Sequence, residues 1–533
     1  MFVREVVTGQ KTGQPVRYAQ IVEAYRDPAN GKSRHRVLIP LGRVDRLDTD
    51  RIQRLVTALT RYLDTGAIPA GGRLGEVREF GLPYIADALW SRLGLPAFFT
   101  RQLRARKFAL PVERALFAMV AHRLADPGSK RACAAWLELD AWIPGARGLP
   151  LQQLYRAMDF LDEYHEALER ALYQHRRTQF ERANIVYFDT TSTYFDGDES
   201  SASDEAFGLR QYGYSRDLRP DRRQIVVGLA TDQNGLPIVS EVFSGDTTDT
   251  VTVAPMLARL KDLGLTKVVW VTDRGMASAV NLSAVRAAGL HYIMGARLRA
   301  VEDLRAVIAA DNAPYVAGPQ GLRLKEVHHG DRRYIVCFLP QSAARDLAMR
   351  AAAIARLEPM LTRVNEGGTD ACAITRHGWY SRLTTRDADG RFSLDKTKLD
   401  REAACDGTFI LEVSDEAFPA ADAALAYKSL LKVESCFDAI KNTLDIRPVY
   451  HRLDRRIRAH VTLCMIALLL DRVIELETGL PFEQVRKLFA RLRAAQLVIE
   501  ETVTWETTTL SPEVRKILTA LRLDPPPRVL PNS

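Results

Sequence analysis

Paired cysteines of the kind that hold zinc or build disulfide frameworks are missing from this sequence. The six cysteines are scattered along the chain without a CxxC pair, at positions 133, 337, 372, 405, 436 and 464. Scattered cysteines of this kind indicate a reducing compartment and argue against a zinc site. We therefore expect a cytoplasmic protein.

Long hydrophobic runs are also lacking. The most apolar helical stretch, residues 461–470, is about ten residues long, whereas a membrane-spanning helix needs roughly 20. The N-terminal stretch MFVREVVTGQKTG contains no apolar segment like that of a secretory signal. Internal repeats and low-complexity tracts are not evident either. The sequence thus predicts a protein without membrane association.

The composition is that of a soluble globular protein. The chain has 533 residues, of which 47% are hydrophobic and 26% charged, and this length predicts about three or four domains. With 74 basic and 66 acidic residues the formal net charge is +8. This excess permits a polyanionic partner without requiring one.

Both ends of the chain are predicted to be accessory regions. Residues 1–78 combine basic, β-prone runs with a helix predicted over residues 48–63. Residues 79–180 are predicted to be almost entirely helical and to form a DNA-binding domain, although a helix-turn-helix and a generic helical bundle fit the pattern equally. Residues 479–533 are predicted to form a C-terminal helical tail.

The middle of the chain changes to strand-rich sequence. The run IVYF leads directly into Asp189, and the apolar run KVVWVT leads into Asp273. Over residues 181–296 the predicted order is β-β-β-α-β-α-β, which is typical of a ribonuclease-H-like α/β core. A strand-rich insertion is predicted at residues 297–418, and the core resumes at residues 419–478 with two helices.

The first of these helices carries a third candidate carboxylate. Residues 427–444, YKSLLKVESCFDAIKNTL, contain no Gly or Pro and are predicted to form one continuous helix. Tyr427, Glu434 and Lys441 recur every seven residues and therefore share one stripe. Glu434 lies at the edge of the apolar face, where a carboxylate is costly unless it meets a cation. A partly solvated helix with Glu434 along its rim is the alternative.

Asp189, Asp273 and Glu434 together predict a metal site. In a ribonuclease-H-like sheet the first and fourth strands are neighbours, so the two aspartates would meet, and the helix would bring Glu434 to them. Three close carboxylates repel one another, and a divalent cation relieves that repulsion. Oxygen ligands without Cys or His favour Mg²⁺ or Mn²⁺. Two such ions, about 3.5–4 Å apart, are suited to phosphoryl transfer.

A phosphatase motif is a competing interpretation of the first aspartate. The stretch DTTST after a strand resembles the aspartyl-phosphate motif of haloacid-dehalogenase-like phosphatases. That motif carries a second Asp two residues after the first, and Thr191 stands at that position here.

Several longer stretches resemble bacterial insertion-sequence transposases of the IS4-like superfamily, within them the IS1634-type group. These stretches are YFDTTSTYF, YGYSRDLRPDRRQIVVGLATDQNGLPI, VVWVTDRGM, HYIMGARL and the segment from YKSLLKVESCFDAIKNTL to TLCMIALLL. The resemblance implies a nucleoid-associated DDE transposase whose triad is Asp189, Asp273 and Glu434. It also implies cleavage at the ends of the element, strand transfer into target DNA, and a homodimer on double-stranded DNA.

The family signature Y-x2-R-x3-E-x6-K is matched with one departure. Tyr427, Glu434 and Lys441 fit, whereas Leu430 occupies the Arg position and cannot donate to a phosphate. Most arginine contacts to DNA would be to phosphates, while base recognition is expected within residues 1–180. The expected DNA contacts are Tyr427, Lys441, Arg274, Arg216, Arg222, Arg223, Arg455 and Arg456.

Two other functions remain compatible with these residues. One is a metal-dependent nuclease that cuts DNA without joining it. The other is a DNA-binding protein that has kept the fold but performs no chemistry. The intact set of three carboxylates favours an enzyme, and a strand-transfer product would separate the transposase from the nuclease.

Overall fold

A computed structural model describes the chain over most of its length. The described residues are 2–8, 16–26, 33–44, 72–104, 106, 111–176, 184–196, 207–276, 278–296, 313–368, 371–499 and 502–530. The helix predicted at residues 48–63 lies outside them.

Fifteen α-helices are described. They are α1 (Gly81–Arg92), α2 (Leu95–Leu103), α3 (Val112–Ala125), α4 (Lys130–Leu139), α5 (Leu151–Arg176), α6 (Asp249–Asp262), α7 (Ala279–Ala287), α8 (Pro340–Asn365), α9 (Ala371–Arg376), α10 (Lys396–Ala403), α11 (Ala420–Lys428), α12 (Leu431–Asp438), α13 (Asp454–Thr478), α14 (Phe482–Phe489) and α15 (Pro512–Ala520). The first five pack with α13 around one apolar core that includes Trp90, Phe117 and Leu468.

Eighteen strands are described alongside these helices. They are β1 (Phe2–Thr8), β2 (Val16–Arg26), β3 (Ser33–Arg43), β4 (Gly72–Glu79), β5 (Ile185–Tyr194), β6 (Gln224–Thr231), β7 (Pro237–Ser244), β8 (Val269–Thr272), β9 (His291–Ala296), β10 (Val316–Ala317), β11 (Arg323–His329), β12 (Arg332–Phe338), β13 (Thr384–Arg386), β14 (Phe392–Leu394), β15 (Thr408–Val413), β16 (Arg493–Ile499), β17 (Thr502–Thr507) and β18 (Val529–Leu530). With the helices they make a mixed α/β protein.

A nine-stranded sheet forms the centre of the molecule. Its strand order is β10-β11-β12-β15-β9-β8-β5-β6-β7. Strands β5, β8 and β9 are parallel, and the other pairs in the sheet are antiparallel. Every residue of β6 and β8 is buried, as expected for strands that are covered on both faces.

The two faces of the central strands belong to different cores. Tyr187 and Val271 pack on the face covered by α12 and α13. Phe188 and Trp270 point the other way, towards α6 and α7, with ring centroids 5.0 Å apart. Side chains alternate along a strand, so Asp189 and Asp273 fall on the same face as Tyr187 and Val271.

The segment predicted as a separate strand-rich insertion extends the central sheet. Strand β15 pairs with β9, and β12, β11 and β10 follow outward from it. Helices α8 to α10 and the small β13–β14 hairpin make up the remainder of this segment. Backbone pairing therefore joins the insertion to the core sheet.

The predicted continuous helix over residues 427–444 is interrupted twice. Helix α11 ends at Lys428, and α12 begins at Leu431 after a tight turn. After α12 a π-helical turn spans Ala439–Thr443, and the N–H of Leu444 donates to the carbonyl of Ala439. The extra residue in this turn shifts the register while Leu444 remains buried. Apolar spacing predicted helical structure in this segment but could not locate these interruptions.

The C-terminal region is not the predicted helical tail. Strands β16, β17 and β18 form a four-stranded sheet with β4, and α14 and α15 are the helices among the described residues of this region. Trp505 and Leu530 are buried there in the large helical core. The prediction overlooked the β-prone runs QLVI and TVTW, which complete a sheet begun more than 400 residues earlier.

None of the described helices is long and apolar enough to cross a membrane.

Helix α13 contains a buried carboxyl group that makes stability depend on pH. Burial raises the pKa of Asp471 to about 7, although Arg472 opposes the shift. An unfolded aspartate titrates near pH 3.9. The stabilising contribution of protonated Asp471 is therefore fully present below about pH 4, and it is lost as the pH rises through 7.

We expect Asp471→Asn to flatten this dependence. Relative to wild type, the variant should gain stability between pH 5 and pH 8, of the order of 2–4 kcal/mol, because the amide need not ionise. Thermal unfolding at several pH values measures the difference. Asp262→Asn, at an exposed carboxylate on α6, is the control. Parallel pH profiles for wild type and Asp471→Asn would contradict the prediction.

Candidate active site

Two of the predicted carboxylates lie side by side at the edge of the central sheet. Strands β5 and β8 are parallel, and Phe188 pairs with Thr272. Asp189 and Asp273 are the next residues along the chain, so they lie at adjacent positions although 84 residues separate them. The sequence-based prediction that these two aspartates meet is in accord with this pairing.

The carboxylate of Asp189 is held in a largely buried position. Burial raises its pKa to about 6, and the nearby carboxylates of Asp273 and Asp249 add to the rise. Two groups oppose the shift: the backbone N–H of Thr190, which donates to Oδ1 at 2.7 Å, and the guanidinium of Arg216. Ionisation of the Asp189 carboxyl is therefore less favourable than that of an ordinary aspartate.

Asp273 lies at the open side of this edge. Its side chain is exposed, and the hydroxyl of Tyr427 donates to its Oδ1 at 3.5 Å. The ring of Tyr427 stacks on Phe409 of β15, with centroids 6.0 Å apart. The strand added by the insertion thus positions the end of α11 against Asp273.

Asp249 is a neighbour of the site that sequence reasoning missed. Located at the start of α6, it accepts hydrogen bonds from Thr190 Oγ1 at 2.7 Å and from Arg216 at 2.6 Å. An acidic residue in a first helical turn is ordinary, because it interacts favourably with the helix dipole. No signal in the sequence distinguished this one.

Lys441 is engaged by a buried partner within the same chain. Its Nζ lies 2.7 Å from Oδ1 of Asp217, which also pairs with Arg447. The side chain of Asp217 is only 3% exposed. Burial lowers the pKa of Lys441, while its pairing with Asp217 opposes the shift. Lys441 would therefore have to exchange its bond to Asp217 before it could contact DNA as predicted. Sequence reasoning missed Asp217.

Glu434 lies on α12, which packs against β5 and β6. Its side chain is exposed rather than half-buried. Among the described residues, no group of three or more His, Cys, Asp or Glu side chains is arranged to hold a metal ion. The structure thus brings Asp189 and Asp273 together, and the association of Glu434 with them stays a prediction.

The arginines predicted to bind DNA have varied surroundings. Arg216 is bonded to Asp249, and Arg222 lies 3.5 Å from both Asp196 and Asp221. Arg223 is buried, with its guanidinium 3.6 Å from the centre of the Phe207 ring. The predicted contact of Arg223 with DNA at the protein surface is therefore corrected, because aromatic rings cover its charged group.

Two more of these arginines share one carboxylate. Arg455 and Arg456 both lie 2.9 Å from Asp159 on α5. The side chain of Arg455 remains half exposed, whereas that of Arg456 is largely covered. Arg274 lies in a short 3-10 turn, and its side chain lies outside the described part of the structure.

Two family models match this chain. Residues 3–70 match the IS1634 family transposase, N-terminal domain, and residues 185–470 match the transposase DDE domain. The second match spans more than half of the chain. The chain belongs to the DDE transposase family. It is a DNA transposase of the IS1634 type, so the resemblance seen in the sequence is confirmed.

Other comparisons add little to this assignment. The transposase matches no curated protein. It shows a weak likeness to the piggyBac transposase synaptic complex with hairpin DNA, with a TM-score of 0.35 and 8% identity over 76% of this chain and 77% of the other. For the Mos1 transposase paired-end complex with left transposon end, the TM-score is 0.15 and the identity is 14%, over 37% of this chain and 65% of the other. The assignment rests on the family models.

The Asp217 cluster predicts a large effect on the stability of the transposase. In Asp217→Ala the half-buried charges of Lys441 and Arg447 lose their common partner, which should lower the free energy of unfolding by about 2–3 kcal/mol. Chemical unfolding measures the change. Asp221→Ala, in the same loop but at an exposed carboxylate paired with Arg219, should have little effect. Equal stabilities of the two variants would show that the buried cluster is not stabilising.

Proposed function

We propose that Asp189, Asp273 and Glu434 are the catalytic carboxylates of this transposase. The observation that carries the proposal is the adjacency of Asp189 and Asp273 on parallel strands. A buried acid with a raised pKa beside a second acid is a functional-site signature. Structural ion pairs also shift pKa values, but here the two acids follow paired residues at the ends of neighbouring strands.

Contacts made by residues before and after Glu434 in the chain support its membership of the set of catalytic carboxylates. Seven residues before it, Tyr427 touches Asp273. Seven residues after it, Lys441 touches Asp217, whose neighbour Arg216 influences the Asp189 carboxylate. The segment that carries Glu434 is therefore tied on both sides to residues close to the two aspartates. Glu434 is exposed on the helix in the middle of that segment.

The order of the central strands supports a ribonuclease-H-like core. Strands β5, β6 and β7 form an antiparallel meander, and β8 and β9 then add in parallel on the other side of β5. Three antiparallel strands followed by helix-linked parallel strands is the order predicted from the sequence. The insertion enters after β9 and lengthens the sheet beyond it.

The residues of the proposed site fit a hard divalent cation. Asp189, Asp273 and Glu434 offer only carboxylate oxygens, the ligands that Mg²⁺ and Mn²⁺ prefer. Burial raises the pKa of Asp189, and Thr190 and Arg216 offset only part of that rise. When bound, two such ions would neutralise charge on the attacking and leaving oxygens of a phosphodiester. The N–H of Thr190 orients the Asp189 carboxylate for that role, and the charge of Arg216 favours its ionised form.

The reaction we propose has two phosphoryl transfers. In the first, water adds to the phosphorus at an end of the element, the P–O3′ bond breaks, and a free 3′-hydroxyl remains. In the second, this hydroxyl attacks a target phosphodiester and releases a 3′-hydroxyl of the target strand. Neither step needs a covalent enzyme intermediate, so the contribution of the protein is positioning and charge compensation.

Contacts to double-stranded DNA would be mainly electrostatic. Arg455 and Arg222 are partly exposed cations at different places on the surface, and Lys441 would reach a phosphate only by exchanging its bond to Asp217. Such contacts lose strength as salt rises. We place recognition of the terminal repeats within residues 1–180. Because an element has two ends, we propose that a homodimer holds them.

An assay on the ends of the element tests the proposal. A labelled duplex taken from the DNA flanking the coding sequence is incubated with Mg²⁺, a target plasmid and wild type or Asp273→Asn. Wild type should give cut and joined products. The variant should give at least about 1000-fold less of both, because removing a metal ligand removes charge compensation in both transfers.

Binding of the same duplex by electrophoretic shift is the control, and Asp273→Asn should retain it. Cutting without joining by wild type would establish the nuclease alternative. Binding without either reaction, in Mg²⁺ and in Mn²⁺, would establish the inactive DNA-binding protein. Activity of Asp273→Asn equal to that of wild type would contradict the assignment of Asp273.

A further inference from the structure

A buried carboxylate in the segment between β5 and β6 is shared by two cations from a distant part of the chain. The side chain of Asp217 is 3% exposed. Its Oδ1 accepts hydrogen bonds from Lys441 Nζ, at 2.7 Å, and from the guanidinium of Arg447. Water screens such a covered cluster less than an ion pair on the surface. A change of partners within the cluster therefore has a measurable effect on binding.

The second oxygen of Asp217 lacks a hydrogen-bond partner among the described residues. This atom, Oδ2, is buried, and no described group donates to it. A carboxylate can accept two parallel bonds from one guanidinium. Here Arg447 donates one bond to Asp217 Oδ1 and another to Asn442 Oδ1, at 3.3 Å. Asp217 could therefore lose Lys441 and still be compensated, because Arg447 can bond both of its oxygens.

Lys441 belongs to the surroundings of the proposed active site. The charge of Arg216 acts on both Lys441 and the Asp189 carboxylate, so the three groups lie in one neighbourhood. Lys441 is also part of the π-helical turn Ala439–Thr443, and such turns often occur at functional sites. A phosphodiester that reaches Asp189 would therefore approach Lys441 as well.

In the DNA-free protein Lys441 is poorly accessible to a second anion. Its side chain is 12% exposed, whereas that of Arg447 is 25% exposed. Burial lowers the pKa of Lys441, and the bond to Asp217 opposes that shift. A phosphate and a carboxylate are partners of the same kind, since both offer charged oxygens to an ammonium group. Asp217 and a DNA phosphate would therefore compete for Lys441.

The backbone that carries Asp217 is anchored, whereas the ammonium group of Lys441 is at the end of a long side chain. The N–H of Arg216 donates to Ser192 Oγ on β5 at 2.9 Å. The N–H of Arg219 donates to a serine hydroxyl of the same loop at 3.0 Å. These bonds hold the loop on both sides of Asp217. The flexible stem of a lysine makes Lys441 the member of the pair that can change partners.

We propose that Asp217 is an autoinhibitory latch that holds Lys441 away from DNA in the free transposase. When an end of the element binds, one of its phosphates takes Lys441 from Asp217, and Arg447 then bonds both oxygens of Asp217. The inference rests on the proposed function, because it needs an element end whose phosphate reaches Lys441. It adds to that function an internal contact that must break before Lys441 binds DNA, and that contact lowers the affinity for DNA.

The affinity for DNA in the absence of metal tests the latch. A labelled duplex from the end of the element is titrated with protein in EDTA, so that no cleavage occurs. Asp217→Asn should bind the duplex roughly tenfold more tightly than wild type, because Lys441 no longer exchanges a carboxylate for a phosphate. Damage to the fold would weaken binding, so a gain in affinity separates the latch from a purely structural role. Affinity equal to or weaker than that of wild type in folded Asp217→Asn would overturn the proposal.

Asp221→Asn is the matched control for the change in charge. It removes the same formal charge from the same loop, but the side chain of Asp221 is 58% exposed and is paired with Arg219. This variant should raise the affinity by less than about twofold, because salt screens an exposed charge. An equal gain in Asp221→Asn and Asp217→Asn would overturn the proposal, because net charge and not the release of Lys441 would then explain the gain.

Replacement of Lys441 provides a second test that holds even if Asp217→Asn does not fold. With Asp217 present, Lys441→Met should weaken binding by no more than about threefold, because the phosphate contact only replaces an existing bond. In the Asp217→Asn background the same replacement should weaken binding roughly tenfold. Equal losses in the two backgrounds would overturn the latch. A tenfold loss in Lys441→Met alone would also overturn it, because Lys441 would then bind DNA without giving up Asp217.

Binding and chemistry are measured separately, so the two proposals can fail separately. If wild type cuts the end, Asp273→Asn does not, and Asp217→Asn binds no more tightly than wild type, the proposed function stands and the latch fails. If wild type cuts the end with neither Mg²⁺ nor Mn²⁺ while Asp217→Asn still gains affinity, the proposed chemistry fails and the latch stands as a control of DNA binding.

Discussion

The juxtaposition of two carboxylates at the ends of adjacent parallel strands is the constraint on which the proposed site of this transposase depends. The register of β5 and β8 fixes Asp189 beside Asp273, and the backbone of a buried sheet cannot relax to separate them. Burial then raises the pKa of Asp189. Arg216, the N–H of Thr190 and the hydroxyl of Tyr427 all converge on this pair. In our account a divalent cation, together with these groups, compensates the negative charge of the two carboxylates.

The surrounding fold positions those groups from distant parts of the chain. Strand β15 of the insertion joins the central sheet and carries Phe409, on which Tyr427 stacks. Helix α13 lies behind the site, and the cluster of Asp217, Lys441 and Arg447 ties the loop between β5 and β6 to the segment after α12. The insertion and the loop are therefore part of the site, and removal of either would displace Tyr427 or Lys441.

The parts that sequence reasoning predicted are those encoded by local pattern. Apolar β-branched runs that end in an aspartate identified the strands before Asp189 and Asp273, and chain order predicted their adjacency. Interactions set by tertiary contacts were missed. Asp217 meets Lys441 across 224 residues, and nothing near either residue indicates the other. Strand pairing of the C-terminal region with β4, the burial of Arg223 and the π-helical turn after α12 likewise depend on packing.

A manganese titration tests the central claim, that Glu434 joins the two aspartates in one metal site, most directly. The electron paramagnetic resonance signal of free Mn²⁺ is followed as metal is added to wild type, Asp189→Asn, Asp273→Asn and Glu434→Gln. Asp438→Asn, at another exposed carboxylate on α12, serves as the control. The account predicts that the three site variants each bind Mn²⁺ at least about tenfold more weakly, while Asp438→Asn binds like wild type. Wild-type affinity in Glu434→Gln, with affinity lost in both aspartate variants, would contradict it.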